Sequence, residues 1–120
     1  MTALSQTVSA AELKRAVEGR DAKALAALYA DDALLRIIDH DNPPARPRDI
    51  KGKQAIASYY DDVCGRAMTH HIDSALTSGE SLSFTQTCTY PDGGKVFCAA
   101  MLESKGGKIV RQTVVQAWDS

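Results

Sequence analysis

The spacing of apolar and polar positions changes once along this chain, near residue 68, and divides it into a helical part and a β part. Ser9-Ala-Ala-Glu12 has the form of a capping box, in which the serine oxygen takes a free first-turn amide and the glutamate reaches back. Leu13, Ala16 and Val17 then mark one face of a helix that Gly19 suits to end. Asp21 opens a second helix, with Ala24, Leu25, Leu28 and Tyr29 at helical spacing and Asp31-Asp32 as turn and cap residues. Residues 33–39 are short and β-leaning, and are read as a strand. The segment 41–49, DNPPARPRD, holds three of the four prolines and must be loop. A third helix is predicted from about Lys51 to Arg66, with Ile56, Tyr59, Tyr60, Val63 and Ala67 as its apolar stripe.

From Thr69 the period is two. Residues 69–77, 81–90, 95–104 and 107–118 are predicted strands, separated by the turn sequences Ser78-Gly79, Pro91-Asp92-Gly93-Gly94 and Gly106-Gly107. The fold class that follows is α+β: three N-terminal helices on one side of a curved antiparallel sheet, in a single domain spanning 1–120.

Composition adds mostly exclusions. Fourteen basic residues against fifteen acidic ones give a net charge of −1, spread without a block of one sign, so no nucleic-acid footprint and no membrane-surface patch is expected. The start, MTALSQTVSAAELKR, has no apolar core of secretory length, and no run approaches a membrane span. Cys64, Cys88 and Cys98 lack CxxC spacing, which fits reduced thiols and a cytoplasmic protein. No phosphate-binding glycine loop, dinucleotide fingerprint or nucleophile elbow is present, so no cofactor is expected. His70 and His71 are adjacent on a strand and face opposite ways; with only His40 besides, no metal site is expected.

Tyr29-Ala-Asp-Asp-Ala33, then Gly52-Lys-Gln-Ala-Ile56 leading into Tyr59-Tyr60, and a last strand ending near Trp118 resemble the nuclear transport factor 2-like superfamily. More narrowly, they resemble its SnoaL-like, ketosteroid-isomerase-like branch. The resemblance implies a cone in which a bent sheet wraps the long helix around an apolar pocket. It does not imply one activity, since one such fold hosts many chemistries. The positions matching the isomerase catalytic set fall at Ile37, near Leu13 and near Ala99, all apolar or small, so that mechanism is not expected here. Tyr60 matches a pocket tyrosine of the same branch.

Strand alternation sorts the candidate pocket wall. Leu35, Ile37 and Asp39 share one side of the first strand, and Leu82, Phe84, Gln86, Cys88 and Tyr90 one side of the 81–90 strand. A four-residue loop at 91–94 would add Phe97, Ala99 and Met101, and the last strand would add Val110, Gln112, Val114, Gln116 and Trp118. Cys88 and Cys98 then face opposite sides. A two-residue turn at Ser78-Gly79 points His71 inward and His70 outward; a three-residue loop swaps them.

The expected ligand site is therefore Leu35, Ile37, Phe84, Gln86, Phe97, Met101, Gln112, Val114, Gln116 and Trp118, a mainly apolar wall with few polar groups, suited to a small hydrophobic molecule. Asp39 or His71 would serve as base and Tyr60 as hydrogen-bond donor in a cofactor-independent isomerase, dehydratase or cyclase. Against this, Asp39 also suits the capping of the proline loop, and His71 a satisfied interior or edge position. An epoxide-hydrolase arrangement would need an inward arginine, and Arg36 and Arg111 both read as outward. The alternative is a non-catalytic binding or association module. Ile72, Leu76, Val96, Cys98, Ala100, Leu102, Ile109, Val115 and Ala117 are expected on the convex side, an apolar surface that predicts a sheet-to-sheet homodimer.

Overall fold

The computed structural model describes residues 8–119. Three helices, α1 (Ala10–Glu18), α2 (Ala22–Ala27) and α3 (Lys53–Gly65), cover one face of a six-stranded sheet. Its strands are β1 (Tyr29–Ile38), β2 (Arg48–Lys51), β3 (Thr69–Ser78), β4 (Ser81–Thr89), β5 (Lys95–Lys105) and β6 (Lys108–Trp118), in the order β2-β1-β6-β5-β4-β3. Every pairing is antiparallel except β1 with β6.

Local chemistry explains the helix ends. Ser9 Oγ accepts the Glu12 amide (3.3 Å), and Asp21 Oδ1 accepts the Ala24 amide (3.0 Å), each satisfying a first-turn donor. Arg20, at φ +53°, closes the turn between α1 and α2. Its guanidinium donates to the carbonyls of Cys64 (3.1 Å) and Arg66 (2.7 Å), groups that the end of α3 leaves without helical partners. Gly52, just before α3, takes φ +88° and ψ 149°, a conformation open essentially to glycine alone. Its amide donates to Ala33 O (2.8 Å), which seats the start of α3 against β1.

Two elements differ from the sequence expectation. Tyr29–Asp32 begin β1 rather than ending the second helix, because Tyr29 pairs with Ile109 and Leu28 O accepts the Ile109 amide (2.8 Å). A register shift between Tyr29 and Leu34 absorbs the two exposed aspartates. Arg48–Lys51, expected as loop and helix start, form β2. The Arg36 guanidinium grips both Asp49 carboxylate oxygens (2.8 and 2.9 Å) across that pairing.

Three turns and bulges decide which side chains face the helices, and each corrects an expectation. The β4–β5 loop is three residues long, Pro91–Gly93, closed by Tyr90 N to Gly94 O (2.8 Å), with Gly93 at φ +92°. That pairs Cys88 with Val96 and reverses the parity of β5. Val96, Cys98, Ala100 and Leu102 are therefore buried inside, while Phe97, Ala99 and Met101 face outward. At the β5–β6 hairpin, Ser104 pairs with Ile109 and Glu103 with Arg111, so Val110 is the extra residue and Ile109 takes the buried place.

The third device lies in β3. The hairpin turn is Gly79-Glu80, and by itself it would set His71 against Cys88. A bulge at Asp73 shifts the register once more, so His70 pairs with Cys88 and His71 with Thr87. His70 turns inward and His71 outward. Thr87 Oγ1 donates to Asp73 Oδ2 (2.8 Å), and the Ile72 amide donates to Glu18 Oε2 (2.9 Å), which ties the bulge to the end of α1.

Candidate functional site

Between the helices and the inner sheet face lies a cavity of about 600 Å³. The registers arrange its sheet wall as cross-strand rows. His70, Cys88, Val96 and Trp118 form the row nearest the mouth, and Gln86, Cys98 and Gln116 the next. Phe84, Val114 and Ile37 form an apolar band in register with the buried Ala100, and beyond it Gln112 and Leu35 line the cavity in register with the buried Leu82 and Leu102. Two polar groups thus bracket an apolar band. Leu13, Val17, Leu25, Tyr59, Tyr60 and Val63 close the cavity from the helices, and Asp39, Arg48, Arg66 and Lys95 stand at its edge.

Of the residues expected to form this wall, Leu35, Ile37, Phe84, Gln86, Gln112, Val114, Gln116 and Trp118 line it. Phe97 and Met101 do not; the shorter loop puts them outside. Of the positions matching the isomerase catalytic set, Ile37 and Leu13 face the cavity and Ala99 faces away, leaving Cys98 and Ala100 inside in its neighbourhood. No carboxylate replaces any of them.

Asp39, His71 and Tyr60 do not converge. Asp39 Oδ1 accepts the amides of Asp41 (3.0 Å) and Asn42 (2.8 Å) and the Asn42 side chain (2.9 Å), so it caps its own loop at the cavity edge. His71 lies outside, with Nδ1 3.2 Å from Glu18 Oε2 and Nε2 3.9 Å from Asp73 Oδ1.

Tyr60 lines the inner end, but its proton is committed. The Tyr29 hydroxyl donates to Gln112 Oε1 (2.6 Å), leaving the 2.6 Å contact between the two phenols to be made by the Tyr60 proton. Burial holds both phenols well above the ordinary tyrosine range, so neither ionises near neutral pH. Tyr59 is also raised by burial, and its ring lies 5.3 Å under the Arg48 guanidinium.

His70 and Cys98, which the sequence reading set on the outer side, join the expected Gln86 and Cys88 near the mouth. His70 Nδ1 is 3.0 Å from Cys88 Sγ. Cys98 lies two residues beyond Val96, the cross-strand partner of Cys88, so the two thiols share a face instead of opposing ones. The neighbouring thiols push each other apart, Cys88 upward and Cys98 downward. His70 is lowered by burial and then by the charge of Arg20, which favours the neutral imidazole. Among the described residues, His70 Nε2 and Gln86 Oε1 are shielded from water and meet no hydrogen-bond partner. Only the bulge at Asp73 could have revealed His70, and an aspartate within a predicted strand was its one sequence signal. Among the described residues, no cluster of three His, Cys, Asp or Glu side chains is placed to hold a metal ion.

A curved six-stranded sheet with three helices closing a mixed cavity over its inner face defines the nuclear transport factor 2-like class of fold. The profile of the SnoaL-like domain matches residues 10–112, and the chain belongs to that family. The chain is similar in structure to a nuclear transport factor 2-like protein of unknown function from Burkholderia xenovorans LB400, at 17% identity and a TM-score of 0.76, covering 92% of this chain and 80% of that one. It is also similar to a candidate ketosteroid isomerase from Kribbella flavida DSM 17836, at 21% identity and a TM-score of 0.71, covering 92% and 75%. A loop-truncation variant of IdmH is similar at 19% identity and a TM-score of 0.67, covering 88% of each chain. No curated protein matches the chain. Among the described residues, no helix is long and apolar enough to cross a membrane.

Proposed function

We propose that this SnoaL-like domain binds a small, largely apolar molecule in the cavity over its inner sheet face. The observation that carries the reading is the cavity itself: about 600 Å³, with an apolar band between two hydrogen-bonding groups. That is the physical profile of a small-molecule site. The test is direct. Organic extracts of the purified protein are analysed by mass spectrometry, and an apolar probe, 2-methoxynaphthalene, is titrated while following the fluorescence of Trp118, the only tryptophan. A co-purifying molecule or saturable binding supports the reading. No extractable molecule and no saturable response overturns it.

A second reading, cofactor-independent proton transfer of the isomerase, dehydratase or cyclase type, draws support from His70, a neutral imidazole on the cavity wall. In this reading His70 takes the base role that the sequence suggested for His71. The non-catalytic binding module draws support from Asp39, committed to its loop, and from Tyr60, committed to Tyr29. We also propose a homodimer through the outer sheet face, where Leu76, Phe97, Met101 and Val115 are 76%, 48%, 64% and 48% exposed.

A further inference from the structure

We infer that Gln112 decides what the inner end of the cavity accepts: its side-chain NH₂ is offered to a neutral oxygen acceptor, so the ligand carries a carbonyl or similar oxygen and enters with that end first. The inference rests on the cavity being a ligand site.

Gln112 stands in the row farthest from the mouth and is 3% exposed. Its register partners on both sides are aliphatic, Leu35 on β1 and Leu102 on β5, so neither partner gives it a side-chain acceptor. Tyr29 holds the amide from behind. The phenol is buried, lies outside the cavity lining, and meets Gln112 Oε1 at 2.6 Å. That separation lies within the range of an O–H···O bond and short of that of an N–H···O bond, so the amide oxygen faces Tyr29 and the NH₂ is turned from it. Among the described residues, Gln112 Nε2 meets no acceptor, yet it is not sealed as His70 Nε2 and Gln86 Oε1 are. The space it faces is the cavity.

A donor so placed discriminates between ligands. A hydrocarbon group filling the inner end leaves a buried N–H without an acceptor, which is unfavourable, whereas a carbonyl oxygen completes it. A carboxylate is the wrong acceptor, because the cationic side chains that line the cavity, Arg48, Arg66 and Lys95, all stand at its edge and the charge would be buried unpaired. Those three also carry donors, but they are exposed, so a ligand oxygen there only replaces water. The Tyr60 proton is spent on Tyr29, which leaves the Gln112 amide as the donor of the inner end.

The test compares 2-acetylnaphthalene with 2-isopropylnaphthalene, which share a shape and differ in the carbonyl. Isotope-edited infrared spectra, with carbon-13 at the carbonyl, report whether the bound ketone accepts a hydrogen bond. In the unaltered protein the carbonyl stretch is expected below its frequency in cyclohexane, and in Gln112→Leu it should return towards that frequency. Calorimetric titrations are expected to show the affinity ratio of ketone to hydrocarbon falling about tenfold in Gln112→Leu, the effect of roughly one hydrogen bond. A bound ketone at the cyclohexane frequency in the unaltered protein overturns the inference without any variant. A lowered frequency that persists in Gln112→Leu also overturns it, since the oxygen then sits among the mouth-side donors. So does a ketone that fails to bind where 2-methoxynaphthalene binds. Each of these outcomes leaves the cavity reading standing. Failure of all three compounds to bind overturns both.

Discussion

The Tyr29 hydroxyl donates a 2.6 Å hydrogen bond to Gln112 Oε1, joining the first residue of β1 to the middle of β6 across 83 positions of sequence. Both side chains are buried, and Tyr60 extends the chain by bonding to the same phenol. Tyr29→Phe removes one donor and leaves a buried amide oxygen without its partner. The expected loss is about 1–3 kcal/mol of stability. Gln112→Leu should cost a similar amount, and the double variant less than the sum of the two, because the second change removes the orphaned partner. Urea denaturation of the three variants measures all of this, and strict additivity would show that the bond does not couple the strands.

Glu18 determines how firmly the Asp73 bulge is held. Its carboxylate accepts the Ile72 amide at 2.9 Å and lies 3.2 Å from His71 Nδ1. Glu18→Ala should destabilise the fold by about 1–2 kcal/mol and speed hydrogen exchange at the Ile72 amide well above that of the β5 amides. Unchanged protection at Ile72 would mean that the bulge is fixed by β4 alone.

The shift of His70 predicts a pH dependence. Its folded-state value lies below the ordinary 6.5, through burial and the Arg20 charge. When pH falls below about 6.5 the unfolded chain takes up a proton that the folded chain refuses, so stability declines across the window between the two values. It recovers as pH rises through the same window. Thermal melts of the unaltered protein and His70→Phe across this range should diverge, with the variant losing less on acidification. Parallel curves would place the imidazole in a more solvated setting.

The outer sheet face gives a prediction about assembly. Phe97 and Met101 stand exposed on β5, next to Val115 on β6. Phe97→Lys combined with Met101→Lys should shift a homodimer to monomer in sedimentation, with little change in the circular dichroism spectrum, since neither side chain belongs to the core. A monomer in the unaltered protein at micromolar concentration would exclude the dimer.

Much of the architecture was legible because it depends on local signals. The Ser9 and Asp21 caps, the proline segment 41–49 and the glycines at 79, 93 and 106–107 bound elements whose limits agree with the strands and helices observed to within a few residues, β2 and the start of β1 aside. The inner faces of β1 beyond Leu34 and of β4 followed from alternation alone, because no bulge interrupts either stretch. Where parity had to be carried across a loop, it failed. One residue fewer in the β4–β5 loop exchanged Phe97 and Met101 for Val96 and Cys98.

The sequence by itself determined an α+β domain with a largely apolar inner wall, since hydrophobic period and turn chemistry act over a few residues. The tertiary structure decided which of two adjacent histidines enters the cavity, and that two thiols ten positions apart share its inner face. The reason is physical. A strand's side chains invert with every inserted residue, and whether a residue is accommodated as a bulge at Asp73 or Val110 depends on partners such as Glu18 and Thr87, which come from elsewhere in the chain.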